Sequence, residues 1–93
     1  MEKRIFKYTL ETTDNQVINL PKGAEFLTVQ TQFNEPQLWA LVNPKEKDKE
    51  ERHIEVFGTG NPVHYDMGVD RKYLATYQLD DGNFVFHVFE RLS

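Results

Sequence analysis

Apolar residues in this chain recur at every second position, and nowhere do they sustain the three-to-four-residue spacing of a helical stripe. That alternation restricts the fold more than any other feature, because it suits strands with one face turned to a core. In "RIFKYTL", Phe6, Tyr8 and Leu10 share a face. In "AEFLTVQTQF", Leu27, Val29, Thr31 and Phe33 oppose Thr28, Gln30 and Gln32. "KYLATYQL" sets Tyr73, Ala75, Tyr77 and Leu79 against Leu74, Thr76 and Gln78. With "QVINLP", "QLWALV", "RHIEVF" and "FVFHVFE", the pattern predicts seven short strands.

The punctuation between runs supports antiparallel pairing. Lys22-Gly23 reads as a turn, and Asn34-Glu35-Pro36 as a tight turn joining two runs into a hairpin. Asp80-Asp81-Gly82-Asn83 is a stronger hairpin signal, since Gly82 supplies the positive φ such turns require. The expectation is a single all-β domain over residues 1–93, a small antiparallel sandwich or barrel with no helix longer than about two turns. The charged run from Lys45 to Arg52 sums to zero formal charge and reads as a solvated hairpin tip.

Charge and composition exclude several functions. With 11 Lys and Arg against 15 Asp and Glu, the formal net charge is -4, which disfavours general nucleic-acid or anionic-membrane binding. No apolar run approaches a membrane span or the core of a signal peptide. The chain has no cysteine, so thiolate catalysis and disulfides are excluded and a cytoplasmic location is expected. The only serine is Ser93, which removes a Ser-His-Asp arrangement. Glu55, Asp66 and Asp70 are scattered carboxylates that read as surface charge. His53, Glu55, His64, Asp66 and His87 match no metal-ligand spacing. The chain is therefore expected to be neither an enzyme nor a metal or cofactor protein.

One stretch points to a site. In "VFGTGNPVHYDMG", Gly58, Thr59, Gly60 and Asn61 form a corner whose glycines could turn N–H groups towards an anion. Arg52 and His53 precede it, and Tyr65, Arg71 and Tyr73 follow, so a cationic, aromatic-lined pocket could assemble there. Neither a phosphate-loop pattern nor a full dinucleotide fingerprint is present, and the alternative is a plain strand-ending turn.

The last strand raises a second question. Phe84, Phe86 and Val88 alternate with Val85, His87 and Phe89, so both faces are apolar. A one-core sandwich strand needs only one such face. The other must be covered by the loop from Asn61 to Arg71 or by a second subunit. A homodimer through Phe84, Val85, Phe86 and Phe89 is the expectation.

Five motifs carry a resemblance over nearly the whole chain. They are Lys7-x-x-Leu10, Pro21-x-Gly23-Ala24, Trp39-Ala40-Leu41-Val42, Gly58-Thr59-Gly60 and His87-Val88-Phe89-Glu90. Together the chain resembles a family of small β-domain proteins encoded mainly by bacteriophages and prophages. The resemblance implies an accessory gene product acting inside a bacterium and brings no activity with it. Two kinds of function fit. One is a non-enzymatic counter-defence binder, which would sequester a small phosphorylated, nucleotide-type signal or occlude a host defence protein. The other is a structural or assembly protein of the virion.

Overall fold

The computed structural model describes residues 2–65 and 67–93. Among them are seven strands, in chain order β1 (Arg4–Thr9), β2 (Asn15–Pro21), β3 (Glu25–Gln32), β4 (Glu35–Val42), β5 (Lys49–Gly58), β6 (Arg71–Leu79) and β7 (Phe84–Arg91). They form two antiparallel sheets, β1-β4-β3 and β2-β5-β7-β6, as a sandwich. The described residues contain no helix, and none therefore crosses a membrane as a helix. The all-β expectation holds.

The core lies between the sheets. Val29 and Leu38 from one sheet meet Ile54, Val56, Ala75, Tyr77 and Val88 from the other, all buried. A second buried group of Leu20, Ala24, Ala40 and Val42 joins the first through Tyr8, Ile18 and Phe26. The sheets are tied where β3 meets β6, since the Thr31 hydroxyl donates to the Gln78 carbonyl at 2.7 Å. At another end of the core, the loop between β1 and β2 reaches β6 through Thr12 Oγ1 and Tyr77 Oη, 2.7 Å apart.

Several local expectations are corrected. The β3–β4 turn falls on Phe33-Asn34, both at positive φ (53° and 61°), while Glu35 and Pro36 already belong to β4. Paired positive φ values mark a type I′ turn, whose twist matches the strands it joins. The charged run is only partly a tip. Lys49 to Arg52 are in β5 and pair with Ile18 to Pro21 of β2.

Two bulges reverse predicted faces. In β3 the pairing steps from Phe26↔Ala40 to Thr28↔Trp39, so Leu27 is the extra residue; it leaves the inner face and Phe26 enters it. In β6 it steps from Tyr73↔Phe89 to Ala75↔Val88, leaving Leu74 as the extra residue. Tyr73 thereby turns to the outer face, away from Ala75 and Tyr77.

Candidate site at the Gly-Thr-Gly corner

The outer face of the four-stranded sheet is built by alternation. Glu55 and Phe57 come from β5, His87, Phe89 and Arg91 from β7, and Thr76 from β6, with Tyr73 added by the bulge. Phe89 lies at the centre, with edge-on contacts to Phe57 (centroids 5.8 Å apart) and Tyr73 (5.5 Å). Beside these rings β5 ends at Gly58 and the chain folds over in a turn closed by Asn61 N donating to Gly58 O at 3.0 Å. Gly60 sits at φ +88°, as the third residue of a type II turn requires. Gly58 makes room for the Asn61 side chain: a Cβ there would lie 2.9 Å from Asn61 Nδ2.

The turn and the rings border an open pocket of about 250 Å³. Phe57, Tyr73, His87 and Phe89 make its walls; Gly58 to Asn61 and Val63 close it from above. A chain of polar groups runs along one wall. Thr59 Oγ1 lies 2.7 Å from His87 Nε2, His87 Nδ1 3.0 Å from Thr76 Oγ1, and Thr76 Oγ1 2.7 Å from Tyr73 Oη.

That chain contains a hydroxyl against an imidazole, the first element of an activated nucleophile. Its present contacts tie the turn to β7. The Thr59 hydroxyl and N–H both reach the Val85 carbonyl (3.3 and 3.2 Å), and the far imidazole nitrogen meets a hydroxyl where a carboxylate would be needed to support an imidazolium.

The predicted site residues are only partly brought together. Gly58, Thr59, Gly60, Asn61 and Tyr73 border the pocket. Arg71 and Tyr65 are its neighbours, and Arg71 is already engaged. Arg71 Nε donates to Glu55 Oε1 at 2.7 Å, Nη1 donates to the His64 carbonyl, and the guanidinium lies over Phe57 (5.4 Å) and Tyr65 (5.1 Å). Its side chain is 5% exposed. The bond from Glu55, more than its charge, holds Arg71 protonated beyond the ordinary arginine range.

Arg52 is elsewhere. Successive strand residues face opposite sides, so Arg52 projects inward while His53 projects outward. Arg52 binds Glu90 through two bonds, donates to the Ala24 carbonyl at 2.9 Å and stacks 4.1 Å over Phe26. His53 shares the outer face but stands four residues from Phe57, roughly 13 Å along the strand; its neighbours there are Val17 and Arg91.

The expected interface residues also divide. Phe86 faces inward and packs on Tyr77, with centroids 5.4 Å apart, while Phe89 lies among the pocket rings. Phe84, 56% exposed, and the half-buried Val85 remain at the open end of β7. The Asn61–Arg71 loop does part of the covering, because His64 and Tyr65 contact Arg71 over the sheet.

Among the described residues, no group of three or more His, Asp and Glu could hold a metal ion. Glu55 is taken up by Arg71 and Arg91 (3.6 Å), and Asp66 lies outside the described residues.

Sequence reasoning left Phe57 and Thr76 out of the site and weighed His87 only as a metal ligand and as part of a face of the last strand. The hairpin offered a signal for two of them. Pairing Leu79 with Phe84 across the Asp80–Asn83 turn places Thr76 opposite His87 by counting alone.

The fold and the site together define a small antiparallel β-sandwich with an aromatic pocket on one outer face. The chain belongs to the family described as Domain of unknown function (DUF7352), which matches residues 1–93. No curated protein and no solved structure matches it.

Proposed function

We propose that this chain is a non-enzymatic binding protein that holds a small nucleotide-type ligand at the Gly-Thr-Gly corner. In this reading it is an accessory bacteriophage product, acting in the host bacterial cytoplasm to sequester such a signal. The observation that carries the binding reading is the pocket of about 250 Å³ walled by Phe57, Tyr73, His87 and Phe89. Its volume falls just under the roughly 300–1,000 Å³ of sites for drug-sized molecules, which suits one ring system. Exposed aromatic faces are also what stacking on a base requires. The biological setting is supported by the resemblance of the five motifs to phage and prophage proteins.

The reading is tested by following backbone amide resonances of the full chain while nucleosides and nucleotides are added. Shifts confined to Gly58–Asn61, Tyr73 and His87 are the expected result. An unchanged spectrum at millimolar ligand would overturn it.

A second reading, occlusion of a host protein or assembly into a virion, is favoured by the opposite face of the molecule. There Ile5, Leu27 and Trp39 border an open groove of about 410 Å³ on the three-stranded sheet. Beside it, β1 is an exposed edge, and such edges recruit partner strands. Self-association through Phe84 and Val85 belongs to the same proposal, and sedimentation equilibrium at micromolar concentration tests it. A monomer mass throughout would remove the dimer.

A further inference from the structure

A nucleotide-type ligand offers the corner pocket either a flat ring or a charged phosphate. A phosphate seat needs donors that are free. Two of the corner's N–H groups are spent, since Thr59 N donates to Val85 O and Asn61 N to Gly58 O. Arg71 is spent as well, on Glu55, the His64 carbonyl and two ring faces. Glu55 lies beside Phe57 and Asn61 at the rim of the same corner, its carboxylate already holding Arg71 and Arg91, and Asp14 borders that rim with a further negative charge.

The ring is better served. Phe57, Phe89 and Tyr73 present apolar surface, and the polar chain ends at Tyr73, whose residue is 55% exposed and within reach of a ligand. That chain can run in two directions. When Thr59 donates to the Val85 carbonyl, it accepts from His87 Nε2–H. His87 Nδ1 then accepts from Thr76, Thr76 accepts from Tyr73, and the phenol oxygen is left to accept from a ligand. When Thr59 donates to His87 Nε2, every bond reverses and Tyr73 is left with a proton to donate.

Resting on the pocket reading above, we infer that the corner recognises an uncharged planar heterocycle. The rings hold its face, and Tyr73 meets either a donor or an acceptor on its edge. Any phosphate stays in solvent. Tyr73 and His87 are then the specificity-determining side chains.

The test titrates the full chain with adenosine, inosine, their 5′-monophosphates and toluene, read by amide shifts. The two nucleosides, which differ by an amino group against a carbonyl, are expected to bind within about threefold of each other, because the chain can reverse. Each monophosphate is expected within about threefold of its nucleoside. Tyr73→Phe should weaken both nucleosides about tenfold, the scale of one lost hydrogen bond. The same variant should leave toluene, which has no hydrogen-bonding group and is held by its ring alone, unchanged. Monophosphates binding tenfold or more above nucleosides would overturn the inference and leave the pocket reading standing. An unaltered Tyr73→Phe affinity would overturn the edge contact. Silence at the corner with every compound would defeat the pocket reading itself, and this inference with it.

Discussion

Arg52 and Glu90 meet inside the sandwich, with side chains 18% and 8% exposed. Two bonds to one carboxylate fix the guanidinium over Phe26, so the pair joins β5, β7 and β3 at one point. Such a pair adds little net stability compared with apolar residues of the same volume, yet removing Glu90 leaves Arg52 only the weaker contact to Glu50, at 3.3 Å, as a counter-charge. Glu90→Ala is therefore expected to cost about 3 kcal/mol in urea denaturation, the low end for broken buried pairs because Arg52 retains some water. The double change Arg52→Met with Glu90→Leu should recover most of that loss. The corner glycines make a second comparison at this scale. Gly60→Ala has open space but must hold φ +88°, so a loss of about 1 kcal/mol is expected from backbone strain. Gly58→Ala meets only the far end of the Asn61 side chain, which can swing aside. It should cost less stability than Gly60→Ala while narrowing the pocket that Asn61 borders.

At the scale of elements, alternation and turns made the strands legible, and hairpin counting extends that to register. The two bulges are where legibility stops. A bulge depends on how a strand must bend against its neighbours, and Leu27 and Leu74 differ in no local way from ordinary strand residues. Without the bulge at Leu74, Tyr73 would fall opposite Glu90 on the inner face, and the pocket would lose a wall. The corner was legible as a turn because its glycines have local reasons. Its partners were not, since Phe57, Thr76 and His87 become neighbours only through pairing of three strands. Arg52 shows the reverse error: closeness in sequence suggested a shared site, while alternation turned it to the opposite side from His53. The same topology orders stability. β7 is bonded on both sides and carries the fully buried Val88, whereas β1 and β2 are sheet edges. Amide exchange should be slowest at the centre of β7 and fastest along β1 and β2, by orders of magnitude. Equal protection of β1 and β7 would show that the edge of β1 is covered in solution.

For the whole molecule, the dimensions leave no interior site. The backbone measures 42 × 37 × 16 Å, a slab with room for one layer of core side chains between sheets about 10 Å apart. The proposed ligand therefore has an outer face to use, at the corner pocket, while the side chains between the sheets pack the core. Tyr77 is a core residue that links β6, β7 and the loop between β1 and β2. It packs on Phe86 and binds Thr12 in the loop that joins the two sheets. Burial raises its pKa above that of an ordinary tyrosine, against a smaller lowering effect of the Thr12 bond, and burial raises Tyr8 likewise. The consequence for stability has a definite sign. In the unfolded chain a tyrosine ionises near pH 10, while in the fold the same groups stay neutral to higher pH. Their contribution is thus fully present below about pH 10 and is lost as pH rises through the higher folded-state values. Tyr77→Phe removes one of these groups and its bond to Thr12. It should be less stable than the parent at pH 7 by about 1 kcal/mol, the scale of one hydrogen bond. As pH rises from about 9 to 11, the parent loses what Tyr77 contributes and the variant does not, so the gap between their urea midpoints should close. A gap that stayed constant over that range would mean that the Tyr77 phenol ionises as easily in the fold as in the open chain, and that the end of the core beneath Thr12 admits water.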